Sequence, residues 1–398
     1  MMISFEEALA KIAALRTAKE TEQITLDKAL GRTLAETLTA QTTLPPANVS
    51  AMDGYAVRLA DVSQEGTQLR LIGASPAGTP FEGNIAEGQT VRIFTGGQLP
   101  AGADHVVPQE NTRVTGDTIT IIPASTSPRH VRSKGLDFAQ GDDLFEAGTT
   151  MGPSEVSIAA AANCDRLDVY KRPVVALLAN GDELKPVGSH LERGEIINSN
   201  PYALAALISN WGGTPLNLGI ASDSIASIHE HLALAATADI IVPVGGASVG
   251  DHDHMFAAFE QLGFSPVFRK VAVKPGKPTW CAAKDGQTVL GLPGNPASAL
   301  VCAHLFLKPL IMGKQLHQFS VAKLATPLPA SGQRAEFLRS TCEIDENGQL
   351  WVSPLSNQDS SLLHPFLAAN TLLYRAPTDP AYERSDLVKI LPIAPVVR

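Results

Sequence analysis

PVVALLANGDEL, residues 173–184, is an apolar run of strand length, Pro173–Ala179, that breaks into a loop carrying Gly181, Asp182 and Glu183. A strand that is apolar at every position is buried on both faces, as in a parallel sheet covered by helices. The chain beyond it alternates in the same way. Asn200-Pro201 starts a helix through Trp211, and Pro215–Ile220 reads as a strand leading to Ala221-Ser222-Asp223 and a helix near 224–237. Asp239–Val244 is the next strand, opening into GGASVG and a helix striped by Met255, Phe259 and Leu262. Val267–Val273, Thr288–Leu292 and a helix after Asn295-Pro296 complete a doubly wound α/β unit over about 172–312. Ligands of such sheets sit beyond the strand C-termini, and the unusual loops of this stretch are expected there.

Outward from this unit the character changes. The first sixteen residues read as an amphipathic helix, with Ser4 as cap, Glu7 three residues on, and Phe5, Leu9 and Ile12 on one face. A second short helix is expected around Asp27–Leu34, before Pro45 and Pro46 break regular structure. From 55 to 150, β-rich runs (Leu69–Ile72, Thr90–Phe94, His105–Val107, Thr118–Ile122) between Gly, Pro and Asp turns predict an antiparallel β module. The tail from about 320 returns to short strands. At 398 residues, 44% of them hydrophobic, the chain has material for several packed domains. Lys+Arg 31 against Asp+Glu 40 leaves −9, which excludes a global basic footprint for nucleic acid, and aromatics at 5% speak against a base-stacking platform. Cys164, Cys281, Cys302 and Cys342 form no C-x-x-C pair and read as buried free thiols. Glu6 and Glu7 stand where a signal peptide needs positive charge, and no apolar stretch approaches the ~20 residues of a membrane span, so a soluble cytoplasmic protein is expected.

Several loops carry chemistry. In GLPGNPASAL (291–300), Asn295 suits an N-cap and Pro296 the first helical position, which aims free amides at an anion; an ordinary strand-to-helix turn is the alternative. KPGKPT (274–279) holds Lys274 and Lys277 on a stiff backbone suited to an oxyanion or phosphate, or else forms a surface turn. Opposed to these are carboxylates: Asp182 and Glu183, Asp223, and Asp251 and Asp253 in GGASVGDHDH, where Ser248 adds a hydroxyl. Carboxylates beside a phosphate site suit a hard cation such as Mg²⁺, although Asp at a loop start also caps helices. His252 and His254 flank Asp253, but with no further His nearby the spacing argues little for zinc. SAMDGYAVR (50–58) sets Asp53 beside Gly54 and Tyr55, and RIFTGGQLPAGADHVV (92–107) adds Thr95; each alone also fits a hairpin.

As an ordered set, SAMDGYAVR, TGGQLPAGADHVV, NGDEL, EIINSNPYAL, GGASVGDHDH, KPGKPT and GLPGNPAS resemble the molybdopterin molybdenumtransferases, the MoeA and gephyrin E-domain family. The resemblance runs from GRTLAE (31–36) to QDSSLLHPFLAAN (358–370). It implies a multidomain α/β plus β protein: a discontinuous N-terminal domain (17–45 and 141–172), an inserted β domain (46–140), a doubly wound MogA-like α/β domain (1–16 and 173–318) and a C-terminal β-barrel (319–398). The implied reaction inserts molybdenum from molybdate into adenylylated molybdopterin, releases AMP and uses Mg²⁺; the alternatives are molybdopterin adenylyltransfer and a non-enzymatic scaffold of the E-domain kind. The implied partners are small-molecule substrates, a second copy in a homodimer with a shared site, and other molybdenum cofactor biosynthesis proteins, with no nucleic acid and no membrane.

Carried over by position, Asp53, Asp137, Asp182, Glu183, Asp223, Asp253, Lys274 and Lys277 match catalytic positions. Thr95, Gly245, Gly246, Ser248, Gly250, Pro293, Gly294, Asn295, Pro296 and Ser298 match substrate loops. Lys277, Ser298, Arg334 and Ser360 match the molybdate pocket, with Arg339 an alternative to Arg334, and Asp182, Asp251 and Asp253 match metal positions. Asn180 departs from the family, where Ser or Thr is commoner.

Overall fold

The apolar run becomes the strand Val174–Asn180, buried at every residue after Val174. In the computed structural model, which describes residues 2–15, 20–246, 254–313 and 317–395, it lies second in a six-stranded sheet. The order is Thr214–Ala221, Val174–Asn180, Ile240–Val244, Gln287–Gly291, Trp280–Lys284, Ser265–Phe268. The first four strands are parallel, and the helices Asn200–Asn210, Ile225–Leu232 and His254–Gln261 lie in their connections.

Two expectations change at the far edge. Trp280–Lys284 runs antiparallel to Gln287–Gly291, because the Asp285-Gly286 pair between them takes φ of 48° and 87°. Positive φ at both central residues makes the two-residue turn that suits a hairpin twist. The stretch 267–273, expected as one strand, divides: Ser265–Phe268 stays in this sheet, while Val273–Lys274 pairs with Ala335–Ile344 in another.

One core lies under each face of the sheet. The helix Phe5–Ala14 buries Phe5, Ala8, Leu9 and Ile12 in the first, and Ser4 Oγ accepts the Glu7 N–H at 3.0 Å as the expected cap. Each of its three large apolar side chains gains roughly 1.5–3 kcal/mol by this burial. In the second core Met255 and Phe259 are buried as the stripe predicts, whereas Leu262 lies past the helix end and is exposed. The strands Ser320–Leu324, Ala335–Ile344, Leu350–Pro354, Thr371–Arg375 and Leu387–Pro392 close into a five-stranded barrel, since Ala335–Ile344 pairs with both Leu350–Pro354 and Thr371–Arg375.

All of this belongs to one compact unit, Met1–Lys19 with Arg172–Arg398; the other is Glu20–Lys171. In the second unit Thr21–Thr25 pairs with Arg166–Tyr170 and Leu38–Thr39 with Asp143–Phe145. A six-stranded sheet takes the order His105–Pro108, Gly54–Val57, Gln89–Ile93, Gln68–Ser75, Thr118–Ile121, Thr112–Thr115. It is not antiparallel throughout: Gln68–Ser75 is parallel to Gln89–Ile93, and segment 76–88 has the length that a parallel crossover needs. The helix expected at Asp27–Leu34 is only the 3-10 turn Leu26–Lys28, because Thr33 and Leu34 bridge to Thr150 and Val169. Among the described residues no helix is long and apolar enough to cross a membrane.

Candidate active site

The loops at the C-terminal ends of the parallel strands are tied into a row that follows the strand order. At one end the Asp223 N–H donates to Asp182 Oδ1 at 3.1 Å, which joins the two acidic loops. The other oxygen of Asp182 has no partner among the described residues. Glu183 folds back over Gly181, where an added Cβ would lie 2.5 Å from Glu183 Oε2. The Glu183 carboxylate therefore occupies the space beside the Gly181 Cα.

Asn180 organises the middle of the row. It is 4% exposed, and its Nδ2 donates to the carbonyls of Ala221 and Ser222 at 3.3 and 3.1 Å. Against its other side lie Gly245 and Gly246, with φ of 95° and 67°. A Cβ on Gly245 would stand 2.6 Å from the Asn180 carbonyl oxygen, and one on Gly246 2.5 Å from Asn180 Oδ1. The two glycines serve packing against Asn180 as well as the backbone turn. Nothing short-range in the sequence shows this, since every partner lies more than forty residues away along the chain.

The row continues to GLPGNPAS. Asn200 Nδ2 donates to the Gly294 carbonyl at 2.8 Å, and Gly245 N–H donates to Leu292 O at 3.2 Å. Pro293 is buried, Gly294 and Asn295 are exposed, and Pro296 opens the helix Pro296–Cys302, inside which Ser298 is buried. Asn295 does not cap that helix with its side chain. Its Nδ2 donates to Ser360 Oγ at 2.9 Å, and the Ala297 N–H is taken by the Ser360 carbonyl at 3.0 Å. Ser360 is thus brought to the helix start from the barrel, and one of the amides expected to face an anion is already satisfied.

Arg339, weighed as an alternative to Arg334 for oxyanion binding, holds the Ser360 loop. It is 1% exposed, and its guanidinium donates to the carbonyls of Leu362, Asp359 and Asn357 at 2.7, 2.8 and 3.3 Å. Burial lowers its pKa from the usual arginine value. Arg334 is half-buried and donates through Nη1 to the Val273 carbonyl at 3.2 Å, next to Lys274.

KPGKPT does not follow a strand of the α/β sheet. It enters Trp280–Lys284, whose first residue pairs with Gly291 at the end of its antiparallel neighbour, so the loop lies at the same end of the sheet as GLPGNPAS. Its base is fixed: Thr279 Oγ1 donates to the Gly276 carbonyl at 2.8 Å and to Cys302 Sγ at 3.2 Å, and an added Cβ on Gly276 would collide with that sulfur. Burial pushes the Cys302 thiol up to about 12, so it remains neutral. The two lysines differ. Lys274 Nζ is paired with Glu336 Oε1 at 3.0 Å, while Lys277 is exposed with no ion pair among the described residues.

In the other unit, Asp53 and Thr95 are in direct contact: Asp53 Oδ1 accepts the Thr95 N–H at 2.7 Å and its hydroxyl at 2.8 Å. The Thr95 amide first, then its hydroxyl, hold the Asp53 carboxyl below the usual carboxylate range. Asp137 is exposed, its N–H donating to the Leu44 carbonyl at 3.0 Å. Ser248, Gly250, Asp251, His252 and Asp253 lie outside the described residues. Among the described residues no group of three or more His, Cys, Asp or Glu side chains is placed to hold a metal ion. All four cysteines are buried and free, as expected.

Three family models cover the chain: the MoeA N-terminal region (domain I and II) at 3–163, a probable molybdopterin binding domain at 176–313, and the MoeA C-terminal region (domain IV) at 321–393. A protein named molybdopterin molybdenumtransferase from Haemophilus influenzae is 33% identical, over 94% of this chain and 94% of its own. One of the same name from Bacillus subtilis is 31% identical over 98% and 94%. The crystal structure of the molybdopterin biosynthesis MoeA protein from Pyrococcus horikoshii superposes with a TM-score of 0.85 at 26% identity, covering 98% of this chain and 99% of that one.

Proposed function

Because this chain belongs to the MoeA family of molybdopterin molybdenumtransferases, we propose that it is a transferase of molybdenum cofactor biosynthesis. The reaction is insertion of molybdenum from molybdate into adenylylated molybdopterin, with release of AMP. The observation that carries the reading is the distribution of charge along one sheet edge: Asp182 and Asp223 in contact at one end, the lysine loop and a helix start at the other. All the reactants are anionic, so they need the cationic end for binding. Transfer at a phosphoanhydride needs charge neutralised where the leaving phosphate forms.

The acidic end fits Mg²⁺, which keeps several waters and takes one or two carboxylates together with substrate phosphates. Asp182 would hold it through the oxygen that Asp223 leaves free, with Asp223 beside it and Glu183 within the same loop. Magnesium bound there would supply stabilisation of the charge that develops on the departing AMP. Gly245, Gly246, Pro293, Gly294, Asn295, Pro296 and Ser298 form the substrate loops, and Lys277, Arg334 and Ser360 the oxyanion end. Asp53, Thr95 and Asp137 are proposed substrate-binding residues of the unit Glu20–Lys171, and the proposed working protein is a homodimer. Adenylyltransfer by this chain is not favoured, because relatives named for the molybdenum step share the flanking regions as well as the α/β domain.

Turnover with molybdate, adenylylated molybdopterin and Mg²⁺, with AMP and protein-bound molybdenum measured together, tests the reading. Lys277→Ala should raise the molybdate needed for half-maximal turnover by roughly ten- to a hundred-fold, the ~1.5–3 kcal/mol of a hydrogen bond to a charged group. AMP formation independent of molybdate, or a Lys277→Ala variant with unaltered molybdate dependence, counts against it.

A further inference from the structure

Val273–Lys274 is the short strand that leaves the α/β domain to pair, in parallel, with the first residues of the barrel strand Ala335–Ile344, in the register Val273↔Ala335 and Lys274↔Glu336. That register sets Lys274 and Glu336 side by side, and the side chains meet at 3.0 Å. The exposures are unequal: the lysine side chain is 55% exposed and the carboxylate 13%. Glu336 also faces Arg375 across the neighbouring barrel strand. That guanidinium is committed elsewhere, donating to the carbonyls of Pro329 and Pro380 and to Asp379 Oδ2. Lys274 is therefore the cation on which Glu336 spends its charge. The only other lysine of the loop, Lys277, carries no such partner among the described residues.

We infer that Glu336 is a positioning residue that restrains anion binding by the lysine loop, acting through Lys274. The paired carboxylate orients the ammonium and offsets its charge. An oxyanion arriving at the loop must share Lys274 with a fixed negative group, or displace it. The substrate affected is the small oxyanion, molybdate. The inference rests on the proposed reading of KPGKPT as an anion site.

The test is molybdate binding by calorimetry, without pterin, to the full chain and to Glu336→Gln, Lys274→Ala and the double variant. Glutamine keeps the length and a hydrogen-bonding oxygen while removing the charge. Since an ion pair whose lysine stays open to solvent is worth little, Glu336→Gln should tighten molybdate about two- to five-fold. In the Lys274→Ala background that gain should vanish, because the residue acts through the lysine; a packing role for Glu336 would leave the same change in both backgrounds. If the full chain binds molybdate and Glu336→Gln binds it no more tightly, or tightens it equally without Lys274, the inference falls while the proposed function stands. If neither the full chain nor Glu336→Gln binds molybdate, both fall together. Binding gained only in Glu336→Gln supports the restraint.

Discussion

Replacing Asn180 tests whether the row of loops is held by one buried amide. Asn180→Ala removes two donated hydrogen bonds, to Ala221 O and Ser222 O. The Ala221 carbonyl keeps the Gly181 N–H at 3.3 Å and the Ser222 carbonyl keeps the Ser224 N–H at 2.7 Å, so neither carbonyl is left without a donor. At about 1 kcal/mol net for each bond, the loss should be on the order of 2 kcal/mol. Asn180→Asp turns a donor into an acceptor facing two carbonyl oxygens. A buried carboxyl there is favoured in its protonated form, so its folded-state pKa lies above the unfolded value. The native state then binds the extra proton, and the variant should lose stability as pH rises through the carboxylate range, retaining most of it in acid. Urea unfolding followed by tryptophan fluorescence is the assay, because Trp211, Trp280 and Trp351, the three tryptophans of the chain, all lie in the unit that contains Asn180. Turnover should fall by roughly ten- to a hundred-fold as the Asp182–Asp223 contact loosens. Asn180→Thr, with one hydroxyl donor, should lie between the wild-type protein and Asn180→Ala. An alanine variant with wild-type urea midpoint and wild-type turnover would refute the role given to this residue.

Gly246→Ala places a methyl group 2.5 Å from Asn180 Oδ1 at a φ of 67°, so it should lower the urea midpoint by at least ~1 kcal/mol and lower turnover with it; tolerance of alanine would show that the loop can move away from Asn180. Thr95→Val removes the hydroxyl that Asp53 accepts but keeps the amide, so the Asp53 carboxyl should titrate at higher pH than in the wild-type protein, read by carboxylate NMR. The depressed folded-state pKa means that this contact favours the native state above the ordinary carboxylate pKa, and that the benefit is lost as pH falls through the folded value; an unmoved Asp53 resonance would remove the hydroxyl from the account.

Where a feature depends on neighbours in the chain, the sequence showed it. The buried strand Val174–Asn180, the Ser4 cap and the succession of parallel strands follow from local pattern and are present. The hairpin at Asp285-Gly286 is legible by the same rule, since an Asp-Gly pair between apolar runs is a turn signal that gives the strand Gln287–Gly291 its antiparallel partner Trp280–Lys284. Other differences come from contacts made across long separations. The Asp27–Leu34 segment has helix-forming residues, but Thr33 and Leu34 are drawn into bridges with residues more than a hundred positions away. Asn295 has the right identity for a cap, and loses that role to Ser360, sixty-five residues on.

The lysine loop shows why this matters for a binding site. Counting residue types in KPGKPT gives two positive charges on a stiff backbone, and that count is correct. The charge available to a ligand is another quantity, because a carboxylate sixty-two residues later lies 3.0 Å from one of the two. The helix start behaves in the same way: its geometry is as expected, but the Ala297 amide is occupied by the Ser360 carbonyl. Both compensating groups come from the barrel segment, Glu336 from its strand Ala335–Ile344 and Ser360 from the loop before Thr371–Arg375. The strength of that end is therefore set by residues outside the α/β domain, and an isolated α/β domain with the same loops would present a more strongly positive site. Closing a barrel beside the sheet would thus moderate the proposed anion site as well as bury the shared core.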